Sequence, residues 1–305
     1  MNISTFLKKS NITTKLCLIC LLMLLYLIIR KNIIQPEKIE GYQNKSDSKI
    51  KYYNNDTLYD DFYVNIYDKL LFNDNKIRYE IKELAKLLDI NKDSIMLDIG
   101  SGMGHHCKAF KDLKAKCIGV DKSPAVIKKA KKNYPDCKFI QGDINNMRLF
   151  DKEKFNILTC FYFTIYYIKD KKQFFKNCYY WLKHGGCLAI HLVDRDKFNP
   201  IVPAGDPLVI VSPQKHAKER INTSLVTFNN YKYKSKFIMK EKNDVLFKET
   251  FKFKDNSYRV NEHKMYMEHS KDILAIALDM GFTITAKLDL LLCNYDYQYI
   301  YILKK

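Results

Sequence analysis

The sequence predicts an α/β fold in which a doubly wound, seven-stranded sheet carries an antiparallel β insertion after its fifth strand. Apolar, strand-like runs alternate with helical patterns from Asn75 to Val193, which is typical of βα units in a parallel sheet. From about Asn222 to Met267 the pattern changes to strand alternation. The composition, 47% hydrophobic and 28% charged over 305 residues, is enough for one sizeable core.

Local patterns place the elements in order. Ile77, Ile81, Leu84 and Leu88 recur at helical spacing, so a helix precedes the first strand. Strands are predicted at 94–99, 116–120, 139–140, 155–160 and 187–193, with helices at 105–113, 124–133 and 171–182 between them. A turn at 242–244 divides the insertion. A helix at 271–280, ending before the C′ glycine Gly281, and strands at 282–288 and 298–303 complete the sheet.

The N-terminal region contains an uninterrupted apolar run, Leu16 to Ile29, between Lys15 and Arg30. A membrane-crossing helix needs roughly 20 residues, and snorkelling basic side chains extend a short run. We interpret the run as one N-terminal hydrophobic helix and a single-pass transmembrane anchor. A cleaved signal peptide and an interfacial anchor are the alternatives, although no small-x-small cleavage site follows. The flanking charges leave the orientation open.

Five segments follow from these patterns. They are a tail and anchor at 1–34, a polar linker at 35–55, a core at 56–196, the antiparallel insertion at 197–267, and the last helix and strands of the core at 268–305. Two of the nine cysteines, Cys17 and Cys20, lie in the apolar run, and the others are dispersed. This pattern indicates reduced thiols, with neither a disulfide framework nor a metal site. We therefore predict a membrane protein whose globular body faces the cytosol.

The net charge of +18 permits nucleic acid or an anionic membrane surface as a partner. The lysines are scattered among abundant Asn, Ile and Tyr, as expected from an AT-rich genome. We therefore favour solvated faces over a nucleic-acid footprint, which stays the alternative.

The stretch "SIMLDIGSGMGHHCKAF" joins the first strand to a helix through a glycine turn. Such a turn exposes backbone N–H groups beside a positive helix end. A dinucleotide fingerprint requires G-x-G-x-x-G, but here the third glycine, Gly104, comes one place early and His105 occupies the sixth position. The dinucleotide interpretation therefore loses its most specific feature. A tight structural turn without a ligand is the other alternative.

The motif D-x-G-x-G-x-G from Asp98 to Gly104 resembles motif I of the class I S-adenosylmethionine-dependent methyltransferases, which have a Rossmann-like fold. Asp121 in "GVDKS" lies 21 residues after Gly100, where a carboxylate can accept both hydroxyls of a ribose. In "QGDIN" the resemblance implies that Asp143 meets the adenine amino group and that Ile144 packs on the ring. "FNILTCFYFTIYYIKD" and "WLKHGGCLAI" resemble the fourth strand and the closing strand of that family.

Upstream, "LYDDFYVNIYDKL" resembles the entrance segment of small-molecule methyltransferases, in which Tyr63 and Tyr67 would cover the methionine end of the cofactor. The resemblance implies S-adenosyl-L-methionine as the cofactor and no metal. The implied cofactor contacts are Tyr63, Tyr67, Asp98, Gly100, Ser101, Gly102, Gly104, Asp121, Lys122, Asp143, Ile144 and Phe161.

The fourth strand carries neither the "[DNS]PP[YFW]" motif of base amino methylators nor a Pro-Cys nucleophile, since Cys160 is followed by Phe161. We interpret Cys160 as buried packing, and His105 and His106 as residues that shape the glycine turn. Asn156 stands where many relatives carry Asp, so this strand offers no carboxylate at its start.

The methyl acceptor is expected at the carboxyl end of the fourth strand, beside the aromatic cluster Tyr162, Phe163, Tyr166 and Tyr167. By the resemblance, the antiparallel insertion roofs the acceptor site. The catalytic candidates are Tyr162, Tyr166 and His263, and the other polar candidates are Asp194, Arg195, Arg259 and Glu262, each of which has a surface ion pair as its alternative.

The sequence thus predicts a membrane-tethered class I methyltransferase that acts on nitrogen or oxygen of a small-molecule or lipid-like acceptor. Transfer from a sulfonium is an in-line displacement, so the protein mainly supplies orientation and a dry pocket. The alternatives are an RNA or protein methyltransferase, and a non-catalytic cofactor-binding scaffold at a membrane. Against the scaffold, Asp98, Asp121 and Asp143 are all intact.

Overall fold

The computed structural model describes residues 11–33, 50–205, 214 and 217–305. The chain forms two units, Met1–Asp47 and Ser48–Lys305. The first contains helix α1, Ile12–Ile33, on which side chains such as Leu21 and Met23 are exposed. The second contains all the other elements given below.

None of the helices in the described ranges is long and apolar enough to cross a membrane. The predicted single-pass anchor at Leu16 to Ile29 is therefore not supported. The uninterrupted apolar run between Lys15 and Arg30 is shorter than the roughly 20 residues that a bilayer crossing requires.

The second unit is built from twelve strands and seven helices within the described residues. The helices are α2 Asp61–Leu71, α3 Asp74–Leu87, α4 His105–Asp112, α5 Pro124–Asn133, α6 Thr164–Tyr167, α7 Lys171–Trp181 and α8 Ser270–Asp279. The strands are β1 Ile50–Asn54, β2 Ile95–Ile99, β3 Lys116–Asp121, β4 Lys138–Gln141, β5 Phe155–Cys160, β6 Leu182–Val193, β7 Thr223–Thr227, β8 Tyr231–Met239, β9 Asp244–Phe253, β10 Tyr258–Tyr266, β11 Thr283–Asp289 and β12 Gln298–Lys304.

Seven strands form the main sheet in the order β11-β12-β6-β5-β2-β3-β4. The strands from β2 to β6 are parallel, whereas β12 is antiparallel to both β6 and β11. The register sets Asp98 of β2 opposite Gly119 on one side and Thr159 on the other. This arrangement confirms the predicted Rossmann-like sheet, in which the carboxyl ends of the parallel strands meet at one edge.

Side-chain caps mark the start of two helices next to the glycine turn. Ser123 caps α5 by accepting a hydrogen bond from the Val126 N–H at 3.3 Å, with Pro124 in the first turn. Asp60 caps α2 by accepting from the Tyr63 N–H at 3.0 Å. These caps fix where the two helices begin. Both helices begin at the edge of the sheet where the glycine turn lies.

The insertion forms a second, five-stranded sheet in the order β1-β10-β9-β8-β7, here named the roof sheet. Four of its strands are antiparallel, as predicted, but its edge strand β1 pairs in parallel with β10. β1 lies in the stretch predicted as a linker, 35–55, of which residues 35–49 lie outside the described residues. Residues 206–213 and 215–216 of the insertion also lie outside the described residues.

Candidate active site

The predicted glycine turn opens into a cavity of about 1290 Å³ between the main sheet and the roof sheet. Gly100, Gly102 and Gly104 all have positive φ angles, of +67°, +53° and +89°, which side chains other than glycine rarely adopt. A Cβ atom at Gly100 would meet Thr164, and one at Gly104 would meet Phe139. A Cβ atom at Gly102 would meet nothing within 4 Å, so the backbone there faces open space.

Asp121 stands at the end of β3 with its carboxylate turned toward this turn. Its Oδ2 accepts a hydrogen bond from the Gly102 N–H at 3.3 Å, and its Oδ1 accepts from the Ser123 N–H at 3.0 Å. Burial raises the pKa of the Asp121 carboxyl to about 6, although these two hydrogen bonds favour the ionised form. The neighbouring Lys122 is exposed and lies 3.6 Å from Asp56.

Asp98 lies deeper, at the end of β2, and is 1% exposed. Its carboxylate accepts a hydrogen bond from the Thr159 hydroxyl at 2.7 Å and one from the Cys107 thiol at 3.6 Å. Burial raises the pKa of the Asp98 carboxyl. Asp98 borders the cavity but is held by the two neighbouring strands, so its first role is to brace the floor beneath the glycine turn.

The predicted adenine contacts follow β4. Asp143 is exposed, and its Oδ1 accepts hydrogen bonds from the backbone and the side chain of Asn145, both at 2.9 Å. Ile144 is half-buried, and its carbonyl accepts from the Asn177 side chain at 2.8 Å. Phe161, at the end of β5, is buried and packs on the His106 ring at 4.5 Å. All of these except Asn177 line the cavity.

Helix α2 brings its tyrosines to the same cavity. Tyr63 is fully buried, and its ring lies 5.8 Å from that of Tyr67 and 5.5 Å from that of Tyr59. Burial raises the pKa of each of these hydroxyls above its ordinary value, so all three stay neutral donors. The structure therefore places Tyr63 and Tyr67 in the lining of the cavity into which the glycine turn opens.

His263 is the centre of a buried hydrogen-bond relay at the roof sheet. Its Nε2 lies 2.8 Å from Glu249 Oε2, and its Nδ1 lies 2.7 Å from the Tyr167 hydroxyl. Glu249 is fully buried and also accepts from the Tyr233 hydroxyl at 2.8 Å and the Asn261 amide at 3.1 Å. We name Tyr167, His263 and Glu249 the relay.

The charge state of Glu249 decides how the relay is protonated. Burial acts to raise the pKa of the Glu249 carboxyl, but His263 and the other donors outweigh it, and the net effect lowers that pKa. An ionised carboxylate can only accept, so Nε2 of His263 carries the proton and Nδ1 accepts from the Tyr167 hydroxyl. Burial raises the pKa of the Tyr167 hydroxyl, which keeps that donor neutral.

The other two catalytic candidates differ in position. Tyr162 lines the cavity with a strained φ of +51°, and its hydroxyl donates to the Leu71 carbonyl at 3.3 Å. Tyr166 is fully buried, and its hydroxyl accepts from the Val193 N–H at 2.8 Å. Tyr166 is absent from the cavity lining. It is therefore a core residue and not the catalytic residue predicted, because the turn of α6 points Tyr166 inward and Tyr167 toward the cavity.

The remaining polar candidates are mostly structural. Arg195 donates to the Met267 carbonyl at 2.5 Å, and Arg259 binds Asp60 at 2.6 Å, both while buried. Neither of them nor Asp194 lines the cavity, whereas Glu262 does. The two arginines hold neighbouring segments of the chain together. We therefore no longer consider them candidates for contact with the methyl acceptor.

Cys160 is buried, as predicted, and each of the paired histidines contacts a neighbouring element. Cys160 is fully buried, and burial raises the pKa of its thiol. His105 lies 2.7 Å from the Tyr134 hydroxyl and 3.1 Å from Asp68. His106 lies 2.9 Å from the buried carboxylate of Glu80. Each histidine thus ties the glycine turn to a neighbouring element.

Glu249 was missed by sequence reasoning. The available signal was its parity, because it lies between Phe247 and Phe251 on the side of β9 that faces inward. A carboxylate among inward-facing aromatic residues needs buried partners, and this alone marks a candidate site. The described residues contain no group of three or more His, Cys, Asp or Glu side chains that could hold a metal ion.

Comparison with known proteins agrees with this geometry. A family described as "Methyltransferase domain" matches residues 90–254 of the chain. Demethylmenaquinone methyltransferase of Chlorobaculum tepidum is 30% identical over 110 residues, which cover 36% of this chain and 45% of that protein. The chain therefore matches less than half the length of this curated relative.

Two solved structures share the fold. An S-adenosylmethionine-dependent methyltransferase from Clostridium acetobutylicum superposes with a TM-score of 0.60 at 19% identity, over 80% of this chain and 97% of that one. The sugar N-methyltransferase KedS8 from Streptoalloteichus superposes with a TM-score of 0.56 at 14% identity, over 89% and 98%. At these identities the likeness shows the fold alone.

The residues around the glycine turn fit S-adenosylmethionine as the cofactor. Asp121 offers a carboxylate for ribose hydroxyls, and the open space at Gly102 leaves room for a ligand against the backbone. Ser101 adds a buried hydroxyl that has no hydrogen-bond partner among the described residues. Buried polar atoms are normally satisfied, so this hydroxyl is consistent with a polar ligand in the turn.

Proposed function

We propose that this chain, which belongs to the methyltransferase domain family, transfers a methyl group from S-adenosylmethionine to nitrogen or oxygen of a small molecule held under the roof sheet. One observation carries the proposal. A single cavity extends from the glycine turn to the roof sheet, and Tyr167 and His263 of the relay line it, with Glu249 buried behind His263. Donor and acceptor can therefore meet in one chamber beside a group that takes up a proton.

The residues at the glycine-turn end of the chamber would position the methyl donor. When bound, S-adenosylmethionine supplies an electrophilic methyl group on a sulfonium. Asp121 would hold the ribose hydroxyls, Gly102 would give the ligand close access to the backbone, and Ile144 would cover the adenine. The rings of Tyr59 and Tyr67 line the cavity nearby and offer π faces to a cation. These residues orient the methyl group and exclude water, which is most of what an in-line displacement requires.

The relay handles the acceptor proton. When the new bond to the methyl carbon forms, the acceptor nitrogen or oxygen must lose a proton. The Tyr167 oxygen takes this proton as its own proton passes to Nδ1 of His263, and the ionised Glu249 stabilises the imidazolium that results. The relay thus acts as a general base without a free phenolate.

The lining of the cavity favours a small acceptor over a polyanion. Carboxylates outnumber lysines along the lining, and a field of that sign repels the phosphates of RNA. Phe198, Phe237, Phe247 and Met265 also give the acceptor end an apolar wall. Two of the similar proteins carry names of this class, one a demethylmenaquinone methyltransferase and the other, alike in fold, a sugar N-methyltransferase. A lipid-like quinol and an amino sugar are therefore the first acceptors to try.

The test is transfer of a labelled methyl group by the full chain to a panel of amino sugars, simple amines, quinols, phospholipids and RNA. We expect turnover on a small molecule, and we expect Tyr166→Phe to keep it because that hydroxyl lies outside the cavity. Turnover on RNA or protein alone would show that the acceptor is a macromolecule and not a small molecule. Binding of S-adenosylmethionine without turnover on any class, in a folded protein, would favour the non-catalytic scaffold.

We further propose that the globular body faces the cytosol. All seven cysteines of the body are free thiols, which a reducing compartment maintains. Labelling of intact and permeabilised cells with a thiol reagent that does not cross membranes tests this. Labelling only after permeabilisation supports the proposal, and labelling of intact cells contradicts it.

A further inference from the structure

On the outer face of the roof sheet, strands β8 and β9 carry five lysines that the proposed reaction does not use. They stand at alternate positions of the adjacent strands β8 and β9, so their side chains leave the sheet on the same side. None of them belongs to the cavity lining. We name this set the lysine face: Lys232, Lys234, Lys236, Lys248 and Lys252.

The register places like charges directly against each other. Lys232 is paired with Lys252, and Lys236 is paired with Lys248. Directly opposed side chains of an antiparallel pair are close neighbours, and two like charges there destabilise the sheet. An arrangement that opposes folding in this way indicates a role outside folding.

Two ordinary explanations do not account for the lysine face. Lysines often protect edge strands from pairing with another chain, but β8 and β9 are interior strands of the roof sheet. Lysines also form surface ion pairs, but on this face Glu262 is the acid in contact, and it lies 3.4 Å from Lys248 alone. Most of the positive charge of the face therefore remains uncompensated by the described residues.

Exposed aromatic and aliphatic side chains border the lysines on the same side of the sheet. Tyr52 and Ile50 of β1 are 66% and 43% exposed, and Leu225 of β7, which pairs with Lys234, is 57% exposed. Water disfavours such side chains, whereas the headgroup region of a bilayer accepts tyrosine and aliphatic groups beside lysine.

We propose that the lysine face docks the protein onto the surface of an anionic phospholipid bilayer. Basic residues near such a surface are attracted by its negative potential, and each lysine raises the affinity for the membrane by about tenfold or less. Bound nucleic acid fits less well, because the exposed aliphatic side chains of Ile50 and Leu225 beside the lysines would have no apolar partner on a phosphate backbone. The proposal stands on the sheet geometry and does not depend on the methyltransferase assignment.

The test compares partitioning of the full chain onto two kinds of vesicle, phosphatidylcholine alone and phosphatidylcholine with phosphatidylglycerol at about 3:1. The ratio of the two partition coefficients isolates the electrostatic contribution from any apolar one. We expect a ratio well above 10 at low salt that falls as salt rises. Two triple variants lose the same net charge on different faces: Lys232→Gln with Lys236→Gln and Lys252→Gln on the lysine face, and Lys131→Gln with Lys132→Gln and Lys138→Gln as the matched control.

The lysine-face variant should lose about 100-fold in this ratio, and the control variant less than about threefold. The lysine-face variant should also melt at the same or a higher temperature than the wild type, because it removes opposed like charges. A ratio near 1 for the wild type would overturn the proposal, as would equal losses in the two variants. A different outcome would name nucleic acid as the partner instead. In that outcome the wild type and the control variant bind duplex RNA in a salt-sensitive way, the lysine-face variant does not, and none of the three binds vesicles.

Discussion

At the scale of one residue, the ionisation of Asp121 should make cofactor binding depend on pH. Its pKa of about 6 means that the carboxyl takes up a proton as the pH falls through 6. A protonated carboxyl accepts ribose hydroxyls less well than a carboxylate does. The residue therefore converts burial into a pH dependence of binding.

We accordingly expect the association constant for S-adenosylmethionine to be flat from pH 8 to 7 and to fall about tenfold per pH unit below 6. Calorimetric titrations of the full chain at pH 5, 6, 7 and 8 measure this. Asp121→Asn should bind weakly and without the pH step. An affinity of the wild type that stays constant down to pH 5 would contradict the role given to this carboxylate.

Glu249 is the second residue with a separable effect. Glu249→Gln keeps the size of the side chain but removes the negative charge that stabilises a protonated His263. We expect turnover to fall about 10² to 10⁴-fold, the usual contribution of a general base, while affinity for S-adenosylmethionine changes little. His263→Asn should behave alike. Steady-state kinetics with the acceptor from the panel checks this, and a Glu249→Gln enzyme with full turnover would remove the relay from the mechanism.

Residue identities in the donor half were predictable because they follow strand ends in sequence. Gly100, Gly102, Asp121 and Asp143 each lie at or just after the end of a β-strand, and parallel strands bring their ends together. The relay was only half predictable. His263 stood out as a polar residue of the insertion, but its pairing with Tyr167 depends on how the roof sheet meets α6, which is a tertiary contact with no local signal.

At the scale of the element, the glycine turn contains one position that matters for packing and another that matters for ligand binding. All three glycines need a left-handed backbone, but only at Gly102 would an added Cβ atom meet free space. The turn therefore offers two substitutions with the same backbone strain and different consequences.

Gly102→Ala should cost roughly 1 kcal/mol in the free energy of unfolding, from backbone strain, and should weaken S-adenosylmethionine binding at least tenfold. Gly104→Ala should cost about 2–4 kcal/mol, because strain is joined by overpacking against Phe139. Urea unfolding and calorimetry measure both. If Gly102→Ala bound the cofactor as well as the wild type does, the open space at Gly102 would not be the ligand position.

Elements with strong local patterns were predicted well. The helix Pro124–Asn133 and the strand Phe155–Cys160 have the predicted bounds, since a cap, a proline or a continuous apolar run marks their ends. Strand β1 was not predicted, because the pairing of "IKYYN" with β10 depends on residues about 200 positions away. The apolar run at Leu16 to Ile29 predicted a membrane crossing that the described helices do not support.

At the scale of the whole molecule, Arg259 connects the roof sheet to the entrance segment. It is buried, binds Asp60 at 2.6 Å, donates to the Leu58 carbonyl at 2.8 Å, and stacks on the Tyr53 ring at 3.7 Å. These contacts join β10 to β1 and to the start of α2. Arg259 therefore ties the roof sheet to the entrance segment.

Arg259→Met should lower the free energy of unfolding by about 2–3 kcal/mol, because it leaves buried acceptors without a donor. The matched control is Arg78→Met, whose ion pair with Asp74 is exposed, at 78% and 50% for the two side chains. Loss of such a pair should change stability by less than about 0.5 kcal/mol. Equal stability of the two variants in urea unfolding would show that the entrance does not rely on Arg259.

Binding of S-adenosylmethionine at the glycine turn is the central claim about this molecule. The most direct measurement is calorimetric titration of the full chain at pH 7.5, beside Asp121→Ala and the control Asp151→Ala, whose side chain is 87% exposed and remote from the turn. We expect micromolar affinity in the wild type and the control, and its loss in Asp121→Ala. No binding by a folded wild type, or equal binding by all three proteins, would contradict the claim.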